Sequence, residues 1–256
     1  MAWLPLRSMS RCLPMGILLL GGLMLLAQPA TLKLVTSDYP PFEYTENGVP
    51  RGLSVEIIQT VFHRMGQPIE IKEYPWKRSL YMIQTGAADA AFSTNRTSER
   101  ETYGVFPKES LLSGTISFFT LTDSTIRYTG NLDSLSSYRV GTDRGSSYGD
   151  MFDEAVRSRK LNIIESDVPD ISLRVLITKR VDLYLVDDYV AWHLARKNGV
   201  TNRIKRLAPP FAPAVPAYLM FTRKKDHSKV MARFDATLAE LKRNGTIDKL
   251  IKKYIE

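Results

Sequence analysis

The sequence predicts an α/β protein of two similar lobes, each a mostly parallel sheet flanked by helices. Three observations predict it. Short β-like runs alternate with segments of helical spacing from Thr31 onward. That alternation restarts after Phe118-Phe119-Thr120-Leu121, with no obvious sequence repetition. The chain has 256 residues and is 44% hydrophobic, enough to bury its own core in one large domain or two small ones.

The elements follow in order. Residues 32–35 read as a strand. Tyr39-Pro40-Pro41-Phe42 cannot be helix, because two prolines fix φ and lack N–H donors. Glu46-Asn47-Gly48 is a turn. Leu53, Ile57, Ile58, Val61, Phe62 and Met65 fall on one helical face that closes at Gly66. A strand over 69–71, a helix over 76–84 and a strand over 87–92 complete the first round. The second round places strands over 138–141, 161–164 and 181–186, with helices over 148–158, 170–178 and 189–197. Residues 209–216 carry four prolines and read as a linker; 217–222 is a further strand. Two helices close the chain. The first runs through Val230, Phe234, Leu238 and Leu241 to an Asn244-Gly245 stop. The second is basic and amphipathic, with Ile247, Leu250, Ile251 and Tyr254 on a face that packs on a lobe.

The first thirty residues read differently. Arg7 and Arg11 precede an apolar stretch from Leu13 to Ala27, and small residues follow, as in a cleavable secretory signal peptide over 1–30. The stretch is short of the about 20 residues that a bilayer span needs. Cys12, the single cysteine, lies inside this leader, so the exported protein needs no disulfide. Net charge is +8, two of it from the leader, and the basic residues are scattered without an aromatic-basic ladder. Nucleic acid is therefore excluded as a partner.

Residues 145–149, Gly-Ser-Ser-Tyr-Gly, fit the G-x-S-x-G pattern of a hydrolase elbow. They also fit a small-residue turn opening a helix whose N–H groups meet an anion. The hydrolase reading requires an upstream oxyanion loop, and no such stretch occurs. No HExxH, cysteine pair or P-loop is present, so no catalytic residue, metal or cofactor is expected.

Four stretches carry a resemblance. They are Thr36-Ser37-Asp38-Tyr39-Pro40-Pro41-Phe42-Glu43; Asp89-Ala90-Ala91-Phe92 leading to Thr97-Ser98-Glu99-Arg100; Arg180-Val181-Asp182 leading to Asp187; and Asn244-Gly245-Thr246 leading to Lys253-Tyr254. In this order the chain resembles the family 3 extracytoplasmic solute-binding proteins, the polar amino-acid receptors of bacterial ABC importers. The resemblance implies the two-lobed periplasmic binding protein fold (type II, Venus-flytrap), joined by hinge strands at 116–121 and 217–222. Lobe one would comprise 31–120 and 217–256, and lobe two 121–216. It also implies a periplasmic monomer that holds an amino-acid-like ligand between its lobes and passes it to a membrane permease.

The site follows from the same resemblance. A buried zwitterion needs an opposite charge at each end. Arg100 matches the carboxylate-binding arginine, whose fork gives two parallel hydrogen bonds. Asp187 matches the ammonium-binding aspartate; helix capping is the competing role, with Asp188 as runner-up. Tyr39 and Trp76 match the residues that sandwich the ligand side chain. Ser93 and Asn95 lie in the loop that supplies polar contacts, although Asn95 stands where serine or threonine is common. Ser146 and Ser147 would offer amides to the ligand carboxylate. Asp38, Arg78 and Arg144 are candidates for specificity, and the two arginines favour an acidic or amide side chain. Two alternatives stay open. One is a periplasmic enzyme on this scaffold resembling cyclohexadienyl or arogenate dehydratases, with Glu43 or Asp38 as acid. The other is a ligand sensor acting through a chemoreceptor or sensor kinase.

Overall fold

The computed structural model describes residues 29–255 together with the first two residues. The expected signal peptide, with Cys12, lies almost wholly outside them. Strand β1 (Leu32–Thr36) leads through the hairpin β2 (Tyr44–Glu46) and β3 (Val49–Arg51) into helix α1 (Leu53–Arg64). The hairpin turns on Asn47-Gly48, both at positive φ (52° and 77°), the conformation that a two-residue connection requires. Strand β4 (Ile69–Glu73), helix α2 (Trp76–Thr85), strand β5 (Ala90–Asn95), the short helix α3 (Ser98–Glu101) and strand β6 (Gly104–Val105) complete the first half. The long strand β7 (Leu112–Leu121) leads to β8 (Arg139–Asp143), α4 (Asp150–Arg157), β9 (Asn162–Ser166), α5 (Pro169–Ile177), β10 (Leu183–Asp187), α6 (Asp188–Lys197) and β11 (Ile204–Arg206). Strand β12 (Ala212–Thr222) and helices α7 (Ser228–Arg243) and α8 (Thr246–Ile255) return the chain to the first lobe.

The two lobes share one strand plan. In the first, β4-β1-β5 are parallel; in the second, β9-β8-β10 are parallel. In each the earliest strand lies in the middle. An antiparallel strand closes each set, β12 beside β5 and β7 beside β10. These two closing strands trade lobes and pair with each other at the waist, from Leu112 opposite Ala217 to Ile116 opposite Ala212. The segment Ser117–Phe119 of β7 already pairs with β10, so that strand changes lobe near Ile116.

Burial explains the plan. Helices cover both faces of each sheet, so adjacent residues of one strand enter different cores. Tyr184 and Val186 pack with Phe119 and the α6 residues Val190 and Leu194, whereas Leu183 and Leu185 pack with Phe118, Val140 and Phe152. Every residue of the predicted α1 face is buried. The Phe62 and Phe234 rings, centroids 5.6 Å apart, bind α1 to α7. Helix α8 packs on α1, where Glu56 accepts from Lys253 and from the Tyr254 hydroxyl at 2.6 Å. No helix among the described residues is long and apolar enough to cross a membrane.

One expectation is corrected. The proline-rich stretch is not a linker: β12 begins at Ala212 and runs through Pro213 and Pro216. Before Ala217 the strand is bonded only to β7, with a register shift between Ala212 and Val215 and Ala214 at φ 54°. An irregular edge tolerates missing N–H donors that a central strand would not.

Candidate functional site

The C-terminal ends of parallel strands face the waist, where a ligand crevice opens in α/β sheets. A cavity of about 100 Å³ lies there, between the lobes. It is lined by Asp38, Tyr39, Trp76, Ser93, Asn95, Arg100, Arg144, Ser146, Ser147 and Asp187 of the expected residues, together with Glu43, Asp143 and Gly114. Arg78 stands apart. Its guanidinium lies 4.7 Å from the Tyr74 ring centroid, off the cavity wall.

Arg100 is only 4% exposed. Helix α3, capped by the Thr97 hydroxyl on the Arg100 amide, points it inward. Its guanidinium donates to the Asn95 carbonyl at 2.9 Å and across the cleft to the Gly145 carbonyl at 3.2 Å, and lies 5.7 Å from the Trp76 ring centroid. No carboxylate of the described residues lies within 4 Å of it. Burial pulls its pKa below the ordinary arginine range.

Asp187 ends β10 and is 5% exposed. Its Oδ1 accepts from the Tyr189 amide at 2.8 Å as the cap of α6, and the residue also lines the cavity. Asp188 instead pairs with Arg206 at 2.6 Å, off the cavity wall. Burial pushes the Asp187 pKa up to about 7, against the α6 amides, which lower it. Gly114 makes room for this carboxyl, since a Cβ there would lie 1.9 Å from Asp187 Oδ2.

Two carboxyls have more prominent places than the sequence suggested. Glu43 is buried and accepts from the Ser93 hydroxyl at 2.6 Å. Burial raises its pKa to about 8, with Asp38 and Glu73 adding to the rise. Asp143, which the sequence reading missed, ends β8 as Asp187 ends β10, so the same strand-end rule would have found it. Its oxygens accept from the Ser172 hydroxyl at 2.6 Å and the Tyr184 hydroxyl at 3.0 Å. Burial raises its pKa to about 6, against these bonds.

The 145–149 loop keeps only part of its donors free: the Ser147 amide has no hydrogen-bond partner among the described residues. The Ser146 amide donates to the Asp143 carbonyl, and the Ser147 hydroxyl and Tyr148 amide donate to Asp153, whose carboxylate meets the start of α4. The Ser147 hydroxyl is thus committed to an acid and not to a histidine, unlike a hydrolase nucleophile. Asn95 is committed as well. Its amide donates to the Ser147 carbonyl at 2.9 Å, and Ser98 donates to Asp150 at 2.8 Å, so both tie the lobes together.

Known proteins share this architecture. A histidine kinase sensor domain with similarity to periplasmic binding proteins superposes with a TM-score of 0.78 at 22% identity, covering 89% of this chain and 97% of that one. The substrate-binding protein of an amino acid ABC transporter gives 0.74 at 20% identity, covering 88% and 99%. At these identities the likeness establishes the two-lobed fold. The probable amino-acid-binding protein YxeM of Bacillus subtilis (strain 168) is 25% identical over 221 residues, 86% of this chain and 81% of the relative. The profile of one family matches residues 32–256, and the chain therefore belongs to the bacterial extracellular solute-binding proteins, family 3.

Proposed function

We propose that this protein captures an α-amino acid between its lobes outside the cytoplasmic membrane and delivers it, as a monomer and without catalysis, to the permease of an ABC importer. One observation carries the reading: Arg100 is buried at the cavity wall with neutral partners only. A buried guanidinium without a counter-ion is costly, and a ligand carboxylate supplies one. Asp187 supplies the complementary anion for the ammonium. The ligand's two charges would then tie lobe one to lobe two and favour the closed state. The solved transporter component and the amino-acid-binding relative support the assignment by kinship.

Native mass spectrometry of the exported protein identifies a co-purified ligand, and calorimetry across the amino acids measures affinity. Arg100→Ala should weaken binding by about 2–5 kcal/mol, as truncating one side of a buried charge pair does. Unchanged affinity in that variant refutes the assignment.

A dehydratase reading draws on Glu43, a carboxylic acid held neutral near pH 7 at the cavity wall, as a general acid must be. Incubation with arogenate or prephenate decides it: an aromatic product establishes an enzyme, and its absence leaves capture alone.

A further inference from the structure

The charges around the cavity do not balance for a neutral amino acid. Five carboxyls line it, those of Asp38, Glu43, Asp143, Asp167 and Asp187, against the guanidiniums of Arg100 and Arg144. Arg144 pairs at the exposed rim with Asp167, 2.9 Å away, so these two charges offset each other. A zwitterionic amino-acid backbone, on the reading above, takes Arg100 and Asp187 and adds no net charge. Asp38, Glu43 and Asp143 are left.

These three differ in chemistry. Glu43 is kept neutral by burial. Asp143 is held by three hydroxyl contacts, one from Ser172 and two from Tyr184, and hydroxyl donors converging on both oxygens suit a carboxylate. The remaining groups facing it are the Tyr39 and Tyr148 hydroxyls, also neutral. Asp143 is thus a buried anion with no cation among its described neighbours, and it fronts an open cavity. Asp38 enters from lobe one, half-buried, near Glu73, Asp170 and Lys197. A metal ion is not indicated, because no three His, Cys, Asp or Glu side chains converge suitably among the described residues. The Tyr39 and Phe42 rings, stacked 6.2 Å apart, present apolar surface to the same space, suited to an aliphatic stem.

We infer that the ligand is an amino acid whose side chain ends in a cation, a guanidinium or an ammonium, with Asp143 of lobe two as its principal counter-charge and Asp38 of lobe one as the second. This inference rests on the amino-acid reading and reverses the expectation of an acidic or amide side chain. Arg78 lies off the cavity, and Arg144 sits at the exposed rim, where Asp167 competes for it. An anionic side chain would meet Asp143 and Asp38 with like charge.

Calorimetric titration of the full exported protein with L-arginine, L-lysine, L-glutamine and L-glutamate tests it. Arginine or lysine should bind at least about tenfold tighter than glutamine, with glutamate weaker still. Asp143→Asn and Asp38→Asn should each cost the cationic ligand about tenfold or more and leave glutamine unaffected. Glutamine or glutamate binding as tightly as the cations overturns the inference and leaves the amino-acid reading standing. Binding by none of the four overturns both. If Asp143→Asn does not fold, the wild-type ranking and the Asp38 variant on its half-buried loop still decide.

Discussion

Asp187→Asn should make the empty protein more stable at alkaline pH while weakening its ligand affinity. The native pKa of Asp187 is raised from 3.8 to about 7, chiefly by burial. Between those values the native state holds a proton that the unfolded chain has released. Wild-type stability therefore falls as pH rises through this window, and the penalty is fully present above about pH 7. A shift of about three units corresponds to at most about 4 kcal/mol. Asparagine has no proton to lose and caps a helix as well as aspartate does, although it forfeits about 0.3–1 kcal/mol of charge at the α6 N-terminus. The variant should thus gain about 2–3 kcal/mol over wild type at pH 8 and nothing at pH 4. Glu43 and Asp143 also titrate abnormally, but they are common to both proteins and cancel in the difference. Urea denaturation of the ligand-free proteins across this pH range measures the gap, and calorimetry should find amino-acid binding weakened by about 2–5 kcal/mol. Stability curves that run parallel from pH 4 to pH 8 would refute a buried, ionisation-resisting carboxyl, and intact affinity would refute its role at the ammonium.

Three further outcomes follow from the same geometry. Gly114→Ala places a Cβ 1.9 Å from Asp187 Oδ2, so it should displace that carboxyl and lose ligand while costing about 1–3 kcal/mol of stability; wild-type affinity would contradict the close approach. Asn95→Ala removes a bond between the lobes at 2.9 Å and should speed ligand release severalfold, consistent with about 0.5–1.5 kcal/mol for one hydrogen bond; stopped-flow dissociation checks it, and an unchanged release rate counts against the latch. Phe62→Ala opens a hole between α1 and α7, where both rings are fully buried, and should cost about 3–5 kcal/mol in denaturant; a loss below about 1 kcal/mol would mean the C-terminal helices are not integral to lobe one.

Local chemistry was readable along the chain because it is written in neighbours. Helical spacing exposed the α1 face, Asn47-Gly48 announced the hairpin turn, and the β-α-β rhythm placed Asp187 at the end of a strand. Prolines misled at 212–216, because whether a missing N–H matters depends on whether another strand lies alongside. Nor does the sequence show that Asp143 and Asp153 fold back onto the Ser146 amide, the Ser147 hydroxyl and the Tyr148 amide. Arg78 and Arg144 look alike in sequence, whereas the structure sets Arg78 over Tyr74 and leaves Arg144 at the cavity beside Asp167.

The sequence by itself determined the alternation of elements, the two rounds of it and the motifs that carry the family resemblance. Only the tertiary structure decided which carboxyls share a cavity and which of them resist ionisation. Charge state depends on burial and on neighbours brought together from distant strands. Asp143 and Asp187 stand far apart in the chain, and it is the parallel pairing of β8 with β10 that sets them on one wall.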